Sequence, residues 1–284
     1  MNMKLFVKTC LMTAALTAMA VATVKAQAIQ AQLVARPLTP QEISHYGLPG
    51  STEVSGGLAT VGVGQPVYLE IDVATNSSVP NVTNIVWLLA QKAPGSGATL
   101  QASPLTTNVP VYEPSDRLVY QVAGRMLLRP DVAGFTTNDQ YKVTATLYTA
   151  NAGNTNVTIT ITAGTYMGVG LLPGTSGCAL CHSGGQIAPN KVVPWETTGH
   201  ATQFARGIDG ILAGNHYGTS CLKCHTVGYD TNALAVNGGF DDVAAALGWH
   251  FPAVLTNGDW ASMETNYPTL ANVANIQCEN CHGP

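Results

Sequence analysis

One short cysteine pattern occurs three times in the last third of the chain: Cys178-Ala-Leu-Cys181-His182, Cys221-Leu-Lys-Cys224-His225 and Cys278-Glu-Asn-Cys281-His282. Only 38 residues separate His182 from Cys221, and 52 separate His225 from Cys278. Segments that short cannot each bury an apolar core of their own. Whatever the cysteines hold must therefore supply much of the interior of this region, and the three sites must lie near one another.

The spacing has a chemical reason. Two residues between the cysteines let both sulfurs face one edge of a porphyrin, where each thiol adds to one vinyl group of haem. The histidine directly after the second cysteine then lies under the iron as its proximal ligand. This makes Cys178, Cys181, Cys221, Cys224, Cys278 and Cys281 candidate haem c attachment points, and His182, His225 and His282 candidate iron ligands. Structural zinc takes ligands in sets of four, which three pairs each followed by histidine fit poorly. Disulfides are the default use of cysteine outside the cytoplasm. Here, however, all six cysteines after residue 28 fall inside the pattern and none is left over. Iron–sulfur spacing is absent.

An oxidising compartment follows from the N-terminus. Lys4 and Lys8 precede an apolar run from about Leu11 to Val24, and small-residue cleavage sites follow at 24–26 and 26–28. That is the layout of a secretory signal peptide over residues 1–28, and the run is short for a bilayer span of about 20 residues. Cys10 lies ahead of the run, out of place for lipid attachment. The sequence predicts a periplasmic, extracellular or cell-surface protein with no stable membrane span once the signal is removed. Charged residues make up 10% of the chain, against a usual value of about 25%. Losing Lys4, Lys8 and Lys25 with the signal takes the net charge from −4 to −7. No basic surface remains to neutralise phosphates, which argues against nucleic acid. The acidic balance instead favours a basic partner.

Residues 29–165 read as an all-β domain. Val67, Leu69, Ile71 and Val73 alternate with Tyr68, Glu70 and Asp72, the period of a half-buried strand. Ile85 to Ala90 is a continuous apolar run around Trp87, which predicts a central strand with a core tryptophan. Tyr141 to Leu147 and Val157 to Ile161 alternate again, separated by the turn residues 151–156. Short strands punctuated by Gly, Pro and Asn predict an immunoglobulin-like β-sandwich. His45 is expected in an exposed loop. Residues 166–177, rich in glycine, form a flexible or tightly turning linker. Residues 178–284 then form a mostly irregular, partly helical multihaem domain. Within it, Phe240 to Leu247 is predicted as a helix stopped by Gly248, with Asp241 and Asp242 as helix N-terminal acids.

Each iron has a sixth position. A second histidine there gives an electron carrier, whereas an open position permits substrate chemistry. The region holds three spare histidines, His200, His216 and His250, and also Met167 and Met263. His200 shares a short element with Trp195 and precedes Phe204 by one helical turn. His216 lies five residues before Cys221. His250 follows a helix stop and precedes Pro252, the least favoured setting of the three.

Three stretches resemble a known family: Trp195-x-x-Thr-x-His200-Ala, Ser220-Cys-Leu-Lys-Cys-His-Thr-Val-Gly-Tyr229 and Gln277-Cys-Glu-Asn-Cys-His-Gly-Pro284. They are similar to multihaem c-type cytochromes, in particular the group that includes the tetrahaem cytochrome partnering hydroxylamine oxidoreductase. The resemblance covers about residues 175–284. It implies electron transfer between redox protein partners, mostly bis-histidine haems, and a distal-ligand role for His200. It gives no distal role to His250. In the family the Cys-His-Gly-Pro run continues into Gly-Ser-x-His and often into further haem motifs. The sequence here stops at Pro284, so the reading expects a C-terminally incomplete chain with three haems as a lower bound. The leading functional expectation is an electron carrier rather than an enzyme. The alternatives are a multihaem oxidoreductase acting on a small nitrogen or sulfur compound, for which no catalytic constellation is visible, and an adhesion or scaffold module.

Overall fold

The computed structural model describes residues 29–74, 82–105, 120–150, 153–185, 187–212, 214 and 216–284. The signal-peptide reading of 1–28, the position of Cys10 and the turn-tip residues 151–152 lie outside them. Among the described residues the N-terminal part has nine strands: β1 (Ala31–Leu38), β2 (Ser55–Gly56), β3 (Thr60–Gly62), β4 (Val67–Ala74), β5 (Val82–Gln91), β6 (Leu100–Ala102), β7 (Tyr120–Leu128), β8 (Tyr141–Thr149) and β9 (Asn154–Gly164). They form two sheets, ordered β2-β1-β4-β7-β6 and β3-β9-β8-β5. Every pairing is antiparallel except that of β3 with β9. One core lies between them. Leu33, Leu69, Ile71 and Val73 come from the first sheet, and Tyr141, Val143, Leu147 and Ile161 from the second.

The alternation in β8 and β9 holds as read, with Tyr141, Val143, Ala145 and Leu147 fully buried. Two readings change. β4 was expected to be half-buried, yet Val67 to Val73 are buried on both faces. Its polar side is roofed rather than wet. Tyr68 packs on Leu38 and Leu105, and its hydroxyl donates to the Glu53 carbonyl at 2.8 Å. Glu70 is paired with Arg125 and, at 3.2 Å, with Arg36. Asp72 is buried beside them. β5 was expected to be a central strand. It is an edge strand, hydrogen-bonded only to β8. Ile85, Trp87 and Leu89 pack partly buried on the core, while Val86 and Leu88 face solvent. A run apolar on both faces reads as central; among the described residues it pairs on one edge alone, and Val86 and Leu88 stay exposed.

A short helix, α1 (Pro40–His45), follows β1. Thr39 and Glu42 form a capping box at its start, and Pro40 occupies the first turn. His45 is exposed as expected, but it ends this helix rather than sitting in a loop.

The C-terminal part carries eight short helices among its described residues: α2 (Ala179–His182), α3 (Val192–Glu196), α4 (Gln203–Ile208), α5 (Leu222–His225), α6 (Phe240–Leu247), α7 (Asp259–Asn266), α8 (Pro268–Asn272) and α9 (Cys278–His282). Helix α6 matches its predicted span and ends on Gly248 in the left-handed conformation. Asp242 accepts from the backbone N–H groups of Asn237 and Gly238, and Asp241 from that of Asp230. They order the loop leading into the helix, consistent with their reading as helix-start acids.

This region also buries a core of its own, contrary to the expectation from segment length. Phe204, Ile208, Tyr217, Leu222, Phe240, Met263, Leu270 and Val273 form one cluster. The length argument holds for each segment singly. Pooled, the helices contribute enough side chains to exclude water. Met263 is consumed in this packing and does not face a site.

The two parts are joined by more than the chain. Arg129 of the sandwich pairs with Glu53 at 2.6 Å, and Asn232 of the helical part donates to the same carboxylate at 2.5 Å. The Tyr166 hydroxyl donates to Gln65 at 2.8 Å. No helix among the described residues is long and apolar enough to cross a membrane.

The Glu70 ion-pair cluster yields a stability prediction. Glu70→Ala leaves Arg125 and Arg36 without their shared carboxylate under a roofed sheet face, where removing one partner of a buried pair costs about 3–5 kcal/mol. Urea titration followed by tryptophan fluorescence should register a loss of that order. A loss below about 1 kcal/mol would mean that the pair behaves as a surface one.

Candidate functional site

Each cysteine pattern folds as one helical turn. In the first, Cys178 precedes α2 and its carbonyl accepts from the His182 N–H at 3.0 Å. In the second, a 3₁₀ turn over Thr219–Cys221 runs into α5. The third is α9 itself, started by Gln277, whose backbone N–H donates to the Asn280 side chain at 2.8 Å. One turn brings the two thiols and the following imidazole onto one short element, and all six thiols are free. The donor set therefore fits a porphyrin bound by two thioethers and one axial histidine: Cys178, Cys181 and His182 for one, Cys221, Cys224 and His225 for another, Cys278, Cys281 and His282 for a third.

The imidazoles are partly pre-oriented. His182 Nδ1 lies 3.2 Å from the Pro189 carbonyl, and His225 Nδ1 lies 3.2 Å from the Tyr217 hydroxyl. An Nδ1–H donated in this way leaves Nε2 as the free lone pair, as in metal-binding histidines generally. Burial holds His225 below the ordinary imidazole pKa, which favours the neutral, ligating form. His282 is exposed.

The structure brings the three turns together around residues 272–280. Glu279, inside the third pattern, is buried and accepts from the backbone N–H groups of Gly168 at 2.8 Å and Met167 at 3.1 Å. The Gly168 carbonyl in turn accepts from the Cys178 N–H at 3.3 Å. Asn280 donates to the Thr226 carbonyl at 2.8 Å, directly after the second pattern. Thr226 also bridges Ala274, and the Val227 N–H donates to the Val273 carbonyl at 2.9 Å. The thiols of Cys178 and Cys278 are neighbours. Burial first, then Glu279 and Cys278, push Cys178 up to about 11, so it is a thiol and not a thiolate at neutral pH.

Of the flexible and tightly turning alternatives, the glycine segment 166–177 takes the second: it turns at Gly168, Gly170 and Gly174, all at positive φ, and is docked as a strap. Gly168 has φ +76, and a Cβ there would lie 2.1 Å from the Asn272 carbonyl oxygen. The Asn272 side chain accepts from the Gly170 N–H at 2.8 Å and donates to the Met167 carbonyl at 2.5 Å. Met167 is half exposed, with its backbone held by Glu279.

The spare histidines fare differently. His200 opens a 3₁₀ turn between α3 and α4, and its element clasps the approach to the third pattern. Trp195 Nε1–H donates to the Ile276 carbonyl at 2.9 Å, the Ile276 N–H to the His200 carbonyl at 3.1 Å, and the Phe204 N–H to Asn275 Oδ1 at 2.9 Å. A groove of about 260 Å³ opens beside it, lined by Trp195, Ala201, Ala205, Trp260 and Gln277 among others. The imidazoles of His200, His216 and His250 are all exposed, and no hydrogen bond fixes any of them among the described residues. The element of His200 is tied by several bonds to residues 275–276, just ahead of the third pattern. Among the described residues no three His, Cys, Asp or Glu side chains converge on one point, as a protein-only zinc site requires.

Sequence reasoning missed Glu279, Asn280, Asn272 and Tyr217. The first two occupy the variable positions of the third pattern, where the spacing constrains nothing. A carboxylate beside two cysteines carries no signal that it will be buried against a backbone more than a hundred residues earlier.

No protein-family model matches the chain, and no curated protein matches it.

Glu279 carries a pH signature. Burial holds its carboxyl above the ordinary value despite the two backbone donors. The folded chain therefore binds this proton more tightly than the unfolded chain does. The resulting stability is fully present below the unfolded pKa and is lost as pH rises through the raised folded value. Glu279→Gln keeps an acceptor oxygen and removes the titration. The wild-type minus variant difference in unfolding free energy should fall as pH rises across the mildly acidic range. A difference that is flat or rises with pH would contradict the assignment.

Proposed function

We propose that the chain is an exported multihaem c-type cytochrome whose role is electron transfer. The observation that carries this reading is the convergence of three Cys-x-x-Cys-His turns, with every thiol unpaired, around one buried polar knot. Haem bound there supplies an iron that cycles between ferric and ferrous states. The cysteine pairs anchor the porphyrin edge in a dilute extracytoplasmic space, and the motif histidines present Nε2 to the metal. The docked strap and α9 keep the three turns at fixed separation, which suits repeated electron hopping because little has to rearrange. Leu180 and Ile187, both strongly exposed beside the first pattern, are apolar surfaces that a porphyrin covers.

The N-terminal sheets support an immunoglobulin-like reading. Their order, the tryptophan on β5 and Tyr141 at the start of β8 fit that architecture. The Tyr141 hydroxyl accepts from the Val132 N–H at 3.0 Å and donates to Asp131 at 3.0 Å, tying the strand start to upstream backbone. In this reading the sandwich braces the helical part, and the acidic balance of the chain after residue 28 favours basic redox partners. His200 is the favoured distal ligand, since its element is bonded to the residues that lead into Cys278.

Expression with a cytochrome c maturation system tests the reading. The pyridine haemochrome spectrum and intact mass should give one covalent haem per pattern, and Cys→Ala at either cysteine of a pattern should remove or destabilise one haem of the set. Absence of covalent haem would overturn the proposal. Binding of carbon monoxide by the ferrous protein, or turnover of nitrite or hydroxylamine, would replace the pure carrier with an oxidoreductase. His200→Ala should convert one low-spin haem to high-spin, and an unchanged spectrum would remove His200 from the ligand set.

A further inference from the structure

Among the motif histidines, His225 has a distinct setting. His182 directs Nδ1 to a backbone carbonyl, whereas His225 directs it to the phenol oxygen of Tyr217. The phenol is held in a built slot. Tyr217 is 7% exposed, its ring stacks on the imidazole at 5.4 Å and 28°, and Phe251 flanks it at 6.3 Å and 29°. Phe204 meets it edge-on at 6.1 Å. The ring also rests on helix α4 at Gly207, where a Cβ would lie 2.6–2.7 Å from three of its carbons. Glycine at that position is what lets an aromatic ring approach the helix so closely. The hydroxyl is also pinned in register, since Tyr217 lies four residues before the first cysteine of the same pattern and its ring is clamped by three separate elements.

We infer that Tyr217 is a positioning residue that accepts the Nδ1–H of His225, fixes its tautomer and sets the electron donation of that one ligand; the inference rests on the haem reading above. An acceptor on Nδ1–H puts negative charge onto the ring, makes Nε2 a stronger donor and favours the ferric state. The burial that keeps the phenol protonated makes the acceptor a neutral oxygen, so the effect has the size of one hydrogen bond, roughly two- to tenfold in the reduction equilibrium. The Nδ1 contact of His182 is to the Pro189 backbone carbonyl, which a side-chain substitution does not remove, whereas that of His225 is to a side chain.

The test is Tyr217→Phe in the full haem-loaded chain. Phenylalanine retains the ring, its stacking and its packing on Gly207, and removes only the oxygen. Potentiometric titration should show one midpoint moved upward by the equivalent of roughly two- to tenfold, with the remaining midpoints unmoved and the haem count unchanged. A full haem count with no midpoint moved, or with a downward shift, would overturn the role of Tyr217. No covalent haem in the wild-type protein would overturn instead the reading on which it rests. If the variant fails to load its haem, ferrous wild-type protein labelled with ¹⁵N-histidine decides the matter. The His225 Nδ1 proton should show a nuclear Overhauser contact to the Tyr217 ring, and its absence would sink the inference.

Discussion

The helical part of the molecule hangs on one carboxylate. Glu279 reaches back from the third cysteine turn to the N–H groups of Met167 and Gly168, at the point where the chain leaves the last strand of the sandwich. The buried Gly168 N–H must find an acceptor, and a strap in an irregular conformation has no ladder to supply one. Glu279 and Asn272 supply acceptors from a distant segment. Because Glu279 stands between two cysteines of one pattern, the same bonds that hold the strap also fix the third turn against the first. Asn280 does the corresponding work toward the second turn through the Thr226 carbonyl. The variable residues of a cysteine pattern are thereby turned into the fasteners of the whole cluster.

Around this polar knot the packing is aromatic. Phe204 meets Phe240 at 5.3 Å and Trp260 at 6.0 Å, and Phe240 meets Trp249 at 5.5 Å. Rings of this kind bury large areas per residue and hold defined mutual angles. A region of short helices, each too brief to be stable alone, thus has a rigid interior to dock on. The cysteine turns lie at the margin of that interior, with Leu222 buried and Cys224 and Cys281 exposed.

The sandwich was legible where side-chain alternation coincided with burial. β8 and β9 alternate because only their inner faces meet the core. β4 misled because its outward Glu70 and Asp72 look like solvent-facing residues, yet Arg36 and Arg125 from neighbouring strands neutralise that face beneath a helix. β5 misled in the opposite sense, because an apolar run on an uncovered edge looks the same in sequence as one in the middle of a sheet. Both errors arise because burial depends on what lies across a strand, and the neighbouring strand is set by topology and not by local pattern. In the same way, the glycines of the strap left flexibility and tight turning both open, and the closeness of the Asn272 backbone at Gly168 decides for the second.

Local spacing along the chain sets which donors meet at each cysteine turn. Two thiols and an imidazole at that spacing fall on one helical turn whatever surrounds them, since the relevant distances are local. The sequence also determined the division into a strand-rich part and a cysteine-bearing part, through a change in periodicity. Only the tertiary structure decided that the three turns share one buried knot, that His200 is tied to the third of them, and that a phenol faces His225. Those relations join residues far apart in the chain, and long-range hydrogen bonds and ring contacts leave no periodic trace in a single sequence.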